Sequence, residues 1–165
     1  MRIFLDKLYL GAGALAGVFI ASIAVLILAQ VIGRWFGAVV PSTEDFSGFF
    51  LAASSFLALA YTLRSGGLIR VSIVIHRLEN RRWIELFCLA VFLVLAAYCA
   101  WWTSMLVYES WEFDELTQGY IAIPIWIPQV PMALGLIILS IALADELWSV
   151  IRGRVPDYVG HEISN

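Results

Sequence analysis

Residues 41–67 read PSTEDFSGFFLAASSFLALAYTLRSGG. Two adjacent carboxylates, Glu44 and Asp45, stand at the head of an apolar run that carries no further charge until Arg64. A hydrocarbon core about 30 Å thick is crossed by roughly 20 apolar residues in helical form. The stretch therefore predicts a membrane span over about 43–63, opened by two acids and closed by Gly66 and Gly67. Charge beside a span is costly to bury and has to be explained.

The same pattern recurs outward from this stretch. Apolar runs cover about 8–32, 83–108 and 125–148, each long enough to cross. The chain of 165 residues is 62% hydrophobic and only 14% charged, against about 45–50% and about 25% in soluble domains. Its mean hydropathy is +0.89. Backbone groups in lipid must be satisfied within their own segment, so the runs are helices. The first run is longer than the roughly 7–15 residues of a signal-peptide core, so it reads as an uncleaved span. The net charge of -3 gives no basis for nucleic acid as a partner.

Basic residues set the orientation. Arg2 and Lys7 precede the first span, Arg64, Arg70, Arg77, Arg81 and Arg82 lie between the second and third, and Arg152 and Arg154 follow the fourth. With four crossings these all fall on one side. Arg34 is the only basic residue on the other, together with Glu109, Glu112, Asp114 and Glu115. Both termini are thus expected in the cytoplasm. Trp35, Trp111 and Trp126 fall near the outer boundary and Trp83 and Trp148 near the inner one, where an indole suits both apolar and polar surroundings. Trp101 and Trp102 lie deeper in the third span.

Between the second and third spans, Val71, Val74, Ile75 and Leu78 share one helical face. Arg70, Arg77 and Arg81 run along its flank. This predicts a short amphipathic helix over about 69–80 lying in the cytoplasmic interface, with those arginines as headgroup anchors. The expected architecture is an all-α integral membrane protein of a single membrane domain over 1–165. It has four transmembrane helices and a cytoplasmic-side interfacial helix between the second and third. In the fourth span Pro124 and Pro128 suit a helix start, and Pro131 falls either in the first turn or at a kink further in.

The chemical inventory is sparse. The middles of the spans hold no ionisable residue, and their strongest polar groups are Gln30, Ser54, Ser55, Tyr61, Thr103 and Ser104. Such groups join helices more often than they bind substrates. The chain has only His76 and His161, so no span offers a haem ligand. Cys88 and Cys99 are separated by about 16 Å along a helix, too far to pair with each other. No nucleophile set, metal-ligand spacing or phosphate loop is present. No catalysis, metal or cofactor is expected.

The acids have two structural readings. Ser42 or Thr43 can cap the second helix, and Ser42 with Asp45 has the spacing of a capping box. Acids in a first turn also oppose the helix dipole favourably. Arg34 ends the first span on the same side, a short connection away, so an ion pair between Arg34 and Glu44 or Asp45 is expected. A sodium or metal site is the alternative, for which two carboxylates are too few ligands.

Four features in this order resemble the small membrane subunit of tripartite ATP-independent periplasmic (TRAP) transporters, the DctQ type, over roughly residues 8–148. They are a first span ending in Arg (QVIGRWFG), a Pro and an acidic pair opening the second (VPSTEDFSGFF), a small-residue and basic continuation (LALAYTLRSGGLIRVSIVIHRL), and spaced prolines with a Gly in the last (IPIWIPQVPMALG). Where the family often has His-Ile-Arg-Val-Asp after the second span, Leu68 and Ser72 stand here in place of the His and the Asp.

The resemblance implies a sodium-coupled secondary importer of organic acids in the bacterial inner membrane. A periplasmic substrate-binding protein would deliver substrate to a large membrane subunit that moves as an elevator. This chain would be the lipid-embedded scaffold beside that subunit. Arg34, Glu44, Asp45 and Gln30 become its interface candidates, and Trp35, Trp83, Trp126 and Trp148 its membrane anchors. Because the fourth span lies so near the chain's end, the large subunit is expected on a separate chain. A self-contained small homo-oligomeric transporter or channel is the competing reading, which needs polar groups converging on a pore. A redox-enzyme anchor is a third, which needs haem-ligating His in the spans.

Overall fold

The computed structural model describes residues 2–37, 41–64 and 81–152. They form four α-helices: α1 (Arg2–Trp35), α2 (Thr43–Arg64), α3 (Arg81–Glu112) and α4 (Trp126–Ile151). All four are long and apolar enough to cross a membrane. Each apolar run of the sequence lies in one helix, to within a residue at the start of α4, and the helices extend beyond the runs. At 1.5 Å per residue α1 is about 51 Å long, well over the hydrocarbon thickness, so it tilts or projects into the headgroups. The expected interfacial helix at 69–80, with Arg70 and Arg77, lies outside the described residues.

The helices stand in the order α1, α2, α4, α3, with α2 and α4 in the middle. Pairing registers fix their directions. Tyr9 meets Ala60, while Ala12 and Ala16 meet Leu57, so α1 and α2 are antiparallel. A Cβ on Gly135 would meet Phe56, and Ala142 packs with Ala60, so α2 and α4 run the same way. One end of the bundle therefore carries the α1–α2 connection and the loop 113–125. The opposite end carries the start of α1 and the end of α4.

Small residues make the central contacts. A Cβ on Gly135 would sit 2.5 Å from the carbonyl carbon of Phe56 and 2.9 Å from the amide nitrogen of Leu57. The backbones of α2 and α4 touch there, which only glycine permits. Without a hydrophobic drive between helices in lipid, such close backbone approach is what holds spans together. Ala60 on α2 and Ala142 on α4 pack further along the same seam, and Ala53, Ser54 and Leu57 on α2 and Ala133, Leu136 and Leu143 on α4 are also buried within the bundle. On the other side of α2, a Cβ on Gly13 would lie 2.9 Å from the Tyr61 ring, and Phe19 packs on Phe50 with ring centroids 5.5 Å apart.

Six serine and threonine hydroxyls within the helices turn back on their own backbones, whereas the buried Ser47 hydroxyl has no partner among the described residues. Ser22, Ser55, Thr62, Ser104 and Ser140 each donate to the carbonyl four residues earlier, and Ser54 to the one three earlier. These six groups are satisfied without water, as a lipid environment requires. Pro128 sits in the first turn of α4, where its missing N–H costs nothing. Pro131 lies inside the helix and removes the donor that would meet the Ile127 carbonyl.

Candidate functional site

The polar residues singled out above gather at the loop end. Helix α1 closes there with Phe36 N–H donating to Gly33 O and Gly37 N–H to Arg34 O. Gly37 takes φ +73, a left-handed stop that glycine adopts freely. The chain enters α2 through Ser42, whose φ of +58 is uncommon for a residue with a side chain. The Ser42 carbonyl accepts the first helical bond, from Phe46 N–H at 3.1 Å. Its hydroxyl accepts the Ile121 N–H at 3.0 Å, across 79 positions of sequence.

Ile121 belongs to a loop more ordered than its sequence suggests. Helix α3 ends with Glu115 N–H reaching back to Ser110 O at 3.2 Å and Asp114 at φ +48. This is the long bond of a Schellman stop, with aspartate where glycine is usual. Buried Ser110 also donates its hydroxyl to Glu115 Oε2 at 3.4 Å. The strand-like arms 115–117 and 123–125 then close on each other. Thr117 N–H donates to Ile123 O at 2.8 Å and Ile125 N–H to Glu115 O at 2.9 Å, while Leu116 bridges antiparallel to Pro124. The Thr117 hydroxyl accepts Ile123 N–H and donates to Ile121 O, so it braces the tip.

That tip rests on the start of α2. A Cβ on Gly119 would lie 2.5 Å from Asp45 Oδ2 and 3.5 Å from Ser42 Oγ. The loop thus straps the α3–α4 hairpin to the α1–α2 hairpin, and Thr43 is buried beneath it.

This changes the account of the acids. Ser42 and Asp45 do not form the expected capping box, because the Ser42 hydroxyl is turned to Ile121. Among the described residues no ion pair joins Arg34 to Glu44 or Asp45. Asp45 is directed at Gly119, and Arg34 and Glu44 are exposed at their helix ends. Both acids keep the first-turn position that complements the helix dipole. Gln30 is half-buried in α1 with no side-chain hydrogen bond among the described residues. Trp35, Trp83 and Trp148 are exposed; Trp126 is half-buried at the head of α4. The Arg152 guanidinium lies 4.7 Å from the centre of the Trp148 ring, a cation–π contact at the terminal end. Arg81 is the first residue of α3.

Sequence reasoning passed over Glu146. It is only 9% exposed, one turn beyond Ala142, which packs on Tyr9 and Ala60. Asp6, Tyr9, Thr62, Asp145 and Glu146 are all engaged in polar or ring contacts near this end. The signal was the pair of acids in SIALADELW, inside an otherwise apolar helix. Among the described residues, no three His, Cys, Asp or Glu side chains converge as a metal site would need. The arrangement is one of helix seams and a strap rather than of reacting groups.

A family model described as "Tripartite ATP-independent periplasmic transporters, DctQ component" matches residues 23–153. The chain belongs to the DctQ family. The match runs from the middle of α1 through all of α4, so it includes the strap, the acid pair and the central seam. No curated protein and no solved structure shows significant similarity to the chain. A DctQ component is part of a transporter rather than an enzyme, and this one is a multi-pass membrane protein.

Proposed function

We propose that this DctQ chain is the fixed small subunit of a sodium-coupled importer of organic acids. In this reading it scaffolds a large membrane subunit that carries the substrate and sodium sites. The family match carries the proposal. The helix inventory supports it, since six of the hydroxyls along the spans are spent on their own backbones.

The charge pattern supports an inner-membrane topology with both termini in the cytoplasm. The strap, Arg34, Glu44 and Asp45 then face the periplasm, within reach of a substrate-binding protein. The exposed Trp35, Trp83 and Trp148 would hold the bundle at its depth. The strap fits a part that must not deform, because it locks two helical hairpins at one end while a neighbour moves.

Affinity purification of the tagged chain from its native membranes tests the reading. The expected result is co-purification of a larger polytopic membrane protein in fixed ratio. Recovery of the chain only as an oligomer of itself would overturn it.

A further inference from the structure

Two flanking helices present exposed apolar faces of different chemistry. On α1 the outward residues are aliphatic, among them Leu15, Val18, Val25 and Leu28. None of these side chains carries a donor, so acyl chains satisfy the face completely. On α3 the outward face carries Tyr98 at 61% exposure, Trp101 at 71% and Trp102 at 56%. The Tyr98 and Trp102 rings meet edge to face, 6.2 Å apart. Val94 and Met105 extend the same stripe, one turn to either side.

Depth makes this stripe unusual. The α3 span covers Leu86–Glu112, which places Tyr98 and the two indoles about 15 Å or more from either end. Tyr and Trp favour the boundary, where water meets their polar tips; Tyr108 and Trp111 near the end of α3 fit that rule. At mid-depth, one O–H and two indole N–H groups have no hydrogen-bond partner among the described residues. Hydrocarbon supplies no acceptor, and an unmet donor there is costly.

We infer that the α3 face bearing Tyr98, Trp101 and Trp102 is where the large transporter subunit packs. The partner segment presents hydrogen-bond acceptors at mid-bilayer depth, as hydroxyl or amide side chains or as the carbonyls of an interrupted helix. The inference rests on the proposed function. Membership in a multi-component membrane transporter supplies a second membrane chain, and the three donors select the face. The aliphatic face of α1 is left to lipid.

The test uses the chain co-expressed with the large subunit. A photo-crosslinking residue, p-benzoylphenylalanine, replaces Val94 or Met105 on α3, and Val18 or Val25 on α1, which leaves the three donors intact. Adducts with the large subunit are expected from the α3 positions and not from the α1 positions. In parallel, replacing both indoles (Trp101→Phe with Trp102→Phe) keeps an aromatic, if smaller, ring at each position and removes the N–H groups. It should lower recovery of the complex about tenfold at an unchanged membrane level of this chain.

Adducts between copies of this chain, adducts to the large subunit from α1, no adduct from α3, or unaltered recovery of the Phe pair would each overturn the inference. Failure of the unmodified chain to co-purify with a large subunit would instead overturn the proposed function beneath it.

Discussion

Over the most apolar 18 residues of each span, α2 and α4 bury 22% and 28% within the chain, whereas α1 and α3 bury 6% and 11%. All four have the apolar composition of a span, yet the middle pair and the flanking pair differ in what they do with it. The middle pair uses Gly135, Ala60 and Ala142 to bring helix surfaces together. The flanking pair carries large side chains outward. Hydropathy reports only that a residue tolerates lipid; side-chain size reports whether it faces lipid or another helix. The chain is therefore a narrow seam with two broad outer faces, as suits a part whose neighbours complete it.

Substitutions that probe this difference should scale with how tightly backbone is engaged. Gly135→Ala should have the largest effect. Its new Cβ would strike the Phe56 backbone at 2.5 Å, which cannot give way as a side-chain tip can. A loss of about 3 kcal/mol is expected, read as an earlier midpoint in detergent-titrated unfolding followed by tryptophan fluorescence. A wild-type midpoint would show that the α2–α4 seam is looser than described.

The strap comes next. Ser42→Ala removes the acceptor of the Ile121 N–H and should cost about 1 kcal/mol. Hydrogen exchange at the Ile121 amide should rise by about tenfold or less, with little change in the α2–α4 seam. Gly119→Ala should fall below that, because the Asp45 carboxylate it meets is a movable tip. Protection at Ile121 that stays unchanged in both variants would remove the strap from the account.

The outer positions should matter least. Gly11→Ala meets nothing within 4 Å and gains helix propensity, so the isolated chain should be unchanged or more stable by up to about 1 kcal/mol. Arg34→Ala, with no ion pair to lose among the described residues, should shift the unfolding midpoint by less than about 0.5 kcal/mol. A large loss at Arg34 would restore the ion pair expected from sequence. An assembly defect without a stability defect would make Arg34 an interface residue.

What the sequence revealed follows from the range of each interaction. The four helices were legible because twenty or so apolar residues need no distant partner to be recognised. The proline-rich start of α4 is local too. The strap was not legible, since its key bond joins Ser42 to Ile121 across 79 positions, and no periodicity marks such a pair. The same blindness produced the expected ion pair: Arg34 is near Glu44 and Asp45 in sequence, but the loop tip holding Gly119 occupies the place beside Asp45. Glu146 escaped notice because acids near the end of a span read as solvated, whereas α4 continues to Ile151 and keeps this one buried.

Sodium-driven uptake in proteoliposomes is the most direct test of the central claim, that the chain completes a transporter without conducting substrate itself. The purified large subunit and binding protein would be reconstituted with and without it. Uptake only in the chain's presence, and none from the chain alone, is the predicted result. Uptake by the chain alone, or equal uptake without it, would contradict the account.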